Sequence, residues 1–254
     1  MKTARNCWSP QGVYLALDTS TRIGSVCLAV GTSVQDRGVL DRPAAHGSDL
    51  LPMIRKILKR GGVELSDLAG IIVGSGPGSF TGVRVAAATA KGMCRSLGIP
   101  LWAVSSLEAG AVSLDVQGLT LSEHPSNVLS SEEMARPRYV LFDARSDRVY
   151  AACYVPIEHG LEELISPHAT TIGEILADDI PACIFIGDGA ERHSDEIRGA
   201  GFSVLSAPIG MPSAEGLLAL IGRSPDRPPL GDIGLWEPDY IRPSSAERLA
   251  RPRR

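Results

Sequence analysis

The stretch GSGPGSFTGVR, from Gly74 to Arg84, has the glycine-rich composition of a loop that could hold a phosphate. Glycines let backbone N–H groups approach an anion closely, and the start of a helix favours negative charge. The known phosphate-binding spacings are absent, because no lysine follows as in a P-loop and Ser79 or Thr81 stands where a dinucleotide-binding turn needs its third glycine. The pattern therefore favours a tight turn between a strand and a helix over a ligand site.

Metal-binding and nucleophilic patterns give no candidate either. The five histidines have no pair closer than nine residues, so the HxxxH spacing of a helical metal site is absent: His46, His124, His159, His168 and His193. Ser79 is not in a Gly-x-Ser-x-Gly turn. The five cysteines form no CxxC pair, which favours a reducing compartment and buried thiols. We predict no catalytic, cofactor-binding or metal-binding residues, and no cofactor.

Composition and net charge limit the class of protein that the chain can be. The chain has 254 residues, 44% of them hydrophobic, which is enough for a large core, and no stretch long enough for a membrane-spanning helix. We expect a cytoplasmic protein without a membrane partner. The net charge is −4, although residues 242–254 hold five arginines and one glutamate. That basic end is typical of a solvated terminus, and contact with nucleic acid is the alternative left open.

The sequence predicts secondary-structure elements that come in two copies. Residues 14–30, YLALDTSTRIGSVCLAV, align without gaps on residues 139–155, YVLFDARSDRVYAACYV, at an offset of 125. Each copy is an apolar run ending in an aspartate, a polar turn and a second apolar run, which predicts a β-hairpin. Asp18 and Asp143 end the two first strands.

The order of the following elements is also repeated. The first half predicts helix 48–60, strand 70–73, helix 81–97, strand 101–104 and a helix from Ser105; the second predicts helix 171–177, strand 183–186, helix 190–199, strand 202–205 and helix 213–221. We predict an α/β fold of two related mixed-sheet domains from an internal duplication, at 13–113 and 138–254. Residues 114–137 lack periodicity and predict a linker or surface insertion.

This duplicated unit resembles the actin-like (ribonuclease-H-like) superfamily, in which ATP lies between two related domains and the leading hairpins turn toward its phosphates. The usual first turn, Asp-x-Gly-Thr, is replaced here by Asp18-Thr-Ser-Thr, and the second turn has Asp143-Ala-Arg. Asp188, between Gly187 and Gly189, places a negative charge at a helix start. These departures disfavour nucleotide binding.

Five stretches together resemble the TsaB family of bacterial tRNA threonylcarbamoyladenosine-biosynthesis proteins: LALDTSTRIGSVCLAV, HGSDLLPMIRKIL, GSGPGSFTGVRVAAATAKGM, FDARSDRVYAACY and EPDYIRP. The resemblance implies an inactive scaffold subunit that pairs with the catalytic subunit TsaD. TsaD transfers a threonylcarbamoyl group to N6 of adenosine 37 in ANN-decoding tRNAs, assisted by the ATPase TsaE. The chain would therefore meet tRNA indirectly, and alone it could form a homodimer through the same surface.

Two helices carry that surface in the family. Placing residues 100° apart gives helix 48–60 an apolar arc wider than one core needs, and gives helix 81–97 small or apolar residues on two sides. The first helix could instead cover the second within the same chain. Given the resemblance, we predict a partner interface formed by Leu51, Met53, Ile54, Leu58, Val85, Ala88, Thr89, Gly92 and Ser96.

Two enzymatic functions remain as alternatives. The duplicated fold is also compatible with an ATP-dependent kinase, which would have to bind Mg-ATP. A glycopeptidase-type metallopeptidase would require a bound metal.

Overall fold

The first half of the chain forms a five-stranded mixed sheet. The computed structural model describes residues 8–42, 46–117, 130–158 and 160–241. The strands of the first sheet are β1 (Val13–Asp18), β2 (Gly24–Val30), β3 (Ser33–Leu40), β4 (Leu68–Gly74) and β5 (Leu101–Val104). Their order is β3-β2-β1-β4-β5, in which β1, β2 and β3 are antiparallel neighbours and β4 and β5 run parallel to β1.

The second half repeats this sheet. Its strands are β6 (Arg138–Asp143), β7 (Val149–Ile157), β8 (Gly160–Thr170), β9 (Ile184–Ile186) and β10 (Ser203–Leu205), in the order β10-β9-β6-β7-β8. Strands β6 and β7 begin 125 residues after β1 and β2 and pair antiparallel as those do. The predicted hairpins and the α/β fold of two related mixed sheets are therefore confirmed.

The helices are α1 (His46–Gly61), α2 (Phe80–Leu97), α3 (Ser106–Gln117), α4 (Ser131–Ala135), α5 (Ile172–Ala177), α6 (Asp188–Arg192), α7 (Ser194–Gly199) and α8 (Ala214–Arg223). The sequence predicts one helix over 190–199, whereas the chain forms α6 and α7 with a break at His193. Leu114, which the sequence assigns to the linker, is buried inside α3. Residues 118–129 of that linker lie outside the described residues.

The final helix of each half lies between the two sheets. Alternation along β1 sends Leu15 and Leu17 to one face and Tyr14 and Ala16 to the other. The first face packs under α1 and α2, and the second packs against α8 from the other half of the chain. In turn, α3 packs on β6 and β7 of the second sheet. Each sheet is therefore covered by helices on both faces, which explains why apolar residues run continuously along its strands.

An ion network ties these interior helices to the second sheet. Arg138, which is 1% exposed, donates to Asp115 at 2.6 Å and to the carbonyl oxygen of Ala111 at 2.8 Å. The second carboxylate oxygen of Asp115 accepts from Arg223 at 2.7 Å. Strand β6, helix α3 and helix α8 are thus joined by charge-assisted hydrogen bonds in a partly buried setting.

The cysteines within the described residues pack as apolar side chains, as predicted. Cys27, Cys94, Cys153 and Cys183 are buried and form no disulfide, and burial raises the pKa of each thiol to about 12. Cys7 lies outside the described residues. Among the helices that the structure describes, none is long and apolar enough to cross a membrane.

Candidate functional site

The glycine-rich turn packs against the turn of the first hairpin. A Cβ atom on Gly78 would overlap the carbonyl oxygen of Ser20, and one on Gly82 would overlap the carbonyl oxygen of Thr19. The Thr19 hydroxyl also donates to the carbonyl oxygen of Gly82 at 2.6 Å. Glycine is therefore required here for close contact between two segments of the same chain.

Several backbone donors of this turn are used within the chain. The N–H of Ser75 donates to Val104 at 2.8 Å, that of Gly76 to the Ser106 hydroxyl at 3.2 Å and that of Ser79 to Ser20 at 2.6 Å. The Ser79 hydroxyl caps α2 by accepting from the N–H of Gly82 at 3.3 Å. Because these groups point to protein acceptors, the geometry is that of a packed junction between a strand and a helix.

Asp18 organises the first hairpin turn from a buried position. Its carboxylate accepts from the N–H of Ser20 at 2.7 Å, the Ser20 hydroxyl at 2.6 Å and the Ser106 hydroxyl at 2.7 Å. Thr19 and Ser20 are buried as well. The turn of the first hairpin is thus filled by side chains of this chain.

The second hairpin turn is exposed and closed in another way. The Asp143 carboxylate accepts from the N–H of Arg145 at 2.9 Å and from the Arg192 guanidinium at 2.7 Å, while the N–H of Asp143 donates to Asp188 at 3.0 Å. Three consecutive non-glycine residues, 145 to 147, adopt left-handed backbone angles with φ of 62°, 51° and 59°. Burial raises the pKa of Asp188. Both acidic groups disfavour an additional anion at this turn.

The two predicted sides of α2 differ in burial. Val83, Ala87, Ala90 and Cys94 are buried on the sheet side. On the other side Ala88, Gly92 and Ser96 are exposed, and Val85 and Thr89 are half-buried. A Cβ atom added to Gly92 would meet no atom within 4 Å. Helix α1 of the same chain approaches Val85 near Gly47, but it leaves Ala88, Gly92 and Ser96 exposed.

The predicted residues of α1 divide in the same way. Leu51 is 52% exposed and Met53 is half-buried, whereas Ile54 and Leu58 lie in the hydrophobic core beneath the helix. We use the name α1–α2 surface for the exposed and half-buried members of the predicted set, which are Leu51, Met53, Val85, Ala88, Thr89, Gly92 and Ser96.

The segment after α8, residues 225–241, contacts the basic side of α2 through residues 234–240, a packing that the sequence did not predict. The Lys91 ammonium donates to the carbonyl oxygens of Gly234 at 3.2 Å and Trp236 at 2.7 Å. The Arg84 guanidinium lies 3.7 Å from the ring centroid of Phe80 and donates to the Tyr240 hydroxyl at 3.1 Å. The aromatic residues after α8 are the sequence feature that could have indicated this packing.

The histidines lie apart in the part of the chain that the structure describes. His46 is buried at the start of α1, and His193 is buried between α6 and α7, where Nδ1 lies 2.9 Å from Glu196. His124 and His159 lie outside the described residues. Within the described ranges, no three His, Cys, Asp or Glu side chains are grouped so as to hold a metal ion.

Comparison with known proteins agrees with this architecture. The family model described as TsaD, tRNA N6-adenosine threonylcarbamoyltransferase, matches residues 38–203. The chain is 29% identical to the tRNA threonylcarbamoyladenosine biosynthesis protein TsaB of Escherichia coli over 81% of this chain and 84% of the relative. It is 28% identical to the protein of the same name from Bacillus subtilis, over 92% of this chain and 95% of the relative.

Solved structures show the same relationship. One is a crystal structure of an uncharacterized Pseudomonas aeruginosa protein with similarity to peptidase YeaZ, with a TM-score of 0.73 and 27% identity over 91% of this chain and 100% of the other. YeaZ from Pseudomonas aeruginosa has a TM-score of 0.66 and 29% identity, with coverage of 83% and 91%. The chain therefore belongs to the family described by the TsaD model, within which it is a TsaB/YeaZ-like protein.

Proposed function

We propose that this chain takes part in tRNA threonylcarbamoyladenosine biosynthesis as a non-catalytic scaffold subunit. Its partner is a TsaD-type threonylcarbamoyltransferase, which it binds through the α1–α2 surface. The names of the relatives from Escherichia coli and Bacillus subtilis support a role in this biosynthesis. A TsaE-like ATPase acts in the same complex, and tRNA is reached through the catalytic subunit, which modifies adenosine 37.

The uncovered side of α2 is the observation that carries this proposal. Ala88, Gly92 and Ser96 are spaced by four residues and therefore lie in one row along the helix. Small side chains in a row let a second helix approach closely. Leu51 lies one turn after Gly47, on the face of α1 that meets α2 near Val85, and adds an exposed apolar side chain beside this row.

The filled hairpin turns support the non-catalytic role. Thr19 and Ser20 are packed against Gly82 and Gly78 of the same chain, and the second turn is closed by the pair of Asp143 and Arg192. Calorimetry of the isolated chain with Mg-ATP tests the kinase alternative. We expect no measurable heat of binding, and saturable binding would favour an ATP-dependent enzyme.

Substitution of Gly92 by arginine tests the partner surface. The added side chain projects from an open position, so we expect the monomer to stay folded while pull-down of the TsaD-type subunit is lost. Gly173→Arg is the matched control, since Gly173 is also an exposed helical glycine with open space around its Cβ position, but on the second sheet. It should bind the catalytic subunit like the unmodified chain. Equal binding by both variants would contradict the proposed surface.

Reconstitution tests the function itself. Threonylcarbamoylation of an ANN-decoding tRNA by the catalytic subunit and ATPase should require this chain, and the Gly92→Arg variant should fail to support it. The isolated chain should also lose any homodimer in that variant, as measured by light scattering. Full modification without this chain would overturn the scaffold role.

A further inference from the structure

The two helices that carry the α1–α2 surface are basic, although the chain as a whole is acidic. Helix α1 holds four Lys and Arg residues against one acid, and α2 holds three against none. The net charge of the whole chain is −4. Positive charge is therefore concentrated around the surface proposed for partner binding.

Part of this charge serves the folded chain itself. Arg60 of α1 pairs with Asp36 of β3 at 2.7 Å. Lys91 and Arg84 of α2 donate to groups of the segment after α8. These three cations already have acceptors within the chain.

Arg55 and Arg95 differ from them in being exposed and unpaired. Neither forms an ion pair with another of the residues that the structure describes. Asp232 and Arg95 both approach Gly234, but the Asp232 carboxylate accepts from the N–H of Gly234 at 2.7 Å. Two guanidinium groups are thus available to a partner.

Both arginines border the exposed residues of the α1–α2 surface. Arg55 lies one turn after Leu51 and two turns after Gly47, on the line of α1 that approaches α2. Arg95 follows Gly92 by three residues, so the two are neighbours on the surface of α2. Each helix therefore contributes an unpaired cation to the border of this surface.

Exposed apolar side chains lie beside the two arginines. Leu51 is 52% exposed, one turn before Arg55. Leu235 is 82% exposed and follows Gly234, whose Cβ position lies 3.3 Å from the Arg95 guanidinium. Apolar side chains bordered by charge are typical of protein–protein interfaces. RNA phosphates would use the arginines but give the two leucines no partner, so the arrangement favours a protein.

A second copy of this chain would bring the same charges to the interface. In a twofold dimer the same patch is used on both subunits, so Arg55 and Arg95 would each be present twice without an added acid. Like charges in one interface disfavour association, whereas opposite charges speed it. The border of the surface therefore favours an acidic partner over a second copy.

We infer that the α1–α2 surface accepts a partner helix with acidic side chains, and that Arg55 and Arg95 select it against a second copy of the chain. The inference rests on the proposed function, since it concerns the same surface, and it adds the charge that the partner must present. The acidic groups lie against the two guanidinium groups, and Leu51 and Leu235 pack on the apolar side of the partner helix.

The double variant Arg55→Glu/Arg95→Glu tests this selection with the TsaD-type subunit as the probe. At low salt we expect the association rate to fall about tenfold or more, because charges at the border of an interface act mainly on association. Binding of the unmodified chain should slow as salt is added, since salt screens exposed charges. Stopped-flow or surface-based binding kinetics measure both effects.

Lys56→Glu/Arg198→Glu is the matched control, because it makes the same change in net charge at two exposed helical positions. Lys56 lies about 140° from Leu51 around α1, and Arg198 lies on α7 of the second half. This variant should bind at the unmodified rate. Equal rates for the two double variants, with binding still lost in Gly92→Arg, would overturn the charge selection and leave the scaffold surface intact.

Mixed copies of the chain provide a test that needs no TsaD-type subunit. At low salt, light scattering should show more dimer in a mixture of the unmodified chain and Arg55→Glu/Arg95→Glu than in either chain alone, because the mixture joins opposite charges. A mixture no more dimeric than its components would overturn the inference. Binding of an ANN-decoding tRNA to the isolated chain, lost in Arg55→Glu/Arg95→Glu but not in the control, would assign the arginines to RNA and overturn it as well.

Discussion

The two halves of this chain share one sheet order but differ in the helices that cover the outer face of each sheet. The first sheet is covered by α1 and α2, of 16 and 18 residues, and the second by α5, α6 and α7, of six, five and six residues. The long helices of the first half expose a row of small residues, whereas the short helices cover only their own core. The repeated sheet thus supports two different outer surfaces.

The leading hairpins differ in a related way. Asp18 and Asp143 occupy equivalent positions 125 residues apart, but Asp18 is buried among hydroxyl donors and Asp143 is exposed beside Arg192. The first turn is held by packing against α2, and the second by surface ion pairing. The same type of hairpin turn can therefore be held either by packing against the start of a helix or by surface ion pairs.

Replacement of the two aspartates by alanine should give the largest contrast. Asp18→Ala leaves the Ser20 N–H and the hydroxyls of Ser20 and Ser106 buried without their acceptor. We expect a loss of about 4 kcal/mol in the free energy of unfolding, against about 1 kcal/mol for Asp143→Ala at the surface. Urea denaturation measures both. Equal losses would break the distinction between a packed and a solvated hairpin.

The glycines in the first turns of α2 and α6 should give the next largest effect. A methyl group on Gly82 overlaps the backbone of Thr19, whereas one on Gly189 lies 3.0 Å from atoms of Leu141, a distance that a small shift relieves. We expect Gly82→Ala to cost about 3 kcal/mol and Gly189→Ala about 1 kcal/mol or less. Thermal unfolding of the two variants provides the comparison. A larger loss of stability for Gly189→Ala would contradict the conclusion that the tighter packing lies in the first half.

The smallest expected effect concerns the capping of a short second-half helix. The Thr170 hydroxyl and the N–H of Thr171 donate to Glu174 at the start of α5 and lower the pKa of its carboxyl below 4.5. Because the folded pKa is lowered, this stabilisation is present above pH 4.5 and is lost as the pH falls through the folded pKa. Glu174→Gln should reduce the pH dependence of the free energy of unfolding in that range, measured by denaturation between pH 2 and 6. An unchanged curve would show that the cap contributes nothing.

Much of the fold was predictable because its signals are local. The repeat around Asp18 and Asp143 predicted both hairpins, and strand β5 lies where its apolar run predicts it. Strand β3 was missed because its sequence, SVQDRGVL, is mostly exposed and is held by backbone pairing with β2, which leaves no apolar alternation. Strand β8 was missed for a similar reason, since it lies at the edge of its sheet.

The candidate sites were predictable only in part. Angular spacing separated the two sides of α2 and placed Ala88, Gly92 and Ser96 together, but it could not tell whether α1 covers them. The burial of Ile54 and Leu58 beneath α1 depends on how that helix is rotated on the sheet. The carboxylate of Asp239 approaches Ser75, 164 residues away, only through the path of the chain after α8.

The duplication, the hairpins and the two sides of α2 follow from the sequence alone, because these features depend on residue types at short, regular spacing. Only the tertiary structure shows that Ala88, Gly92 and Ser96 are exposed on α2 and that the glycine-rich turn is filled by Thr19 and Ser20. Those contacts join residues far apart in the chain. Their distances are set by strand order and helix packing, which no local pattern records.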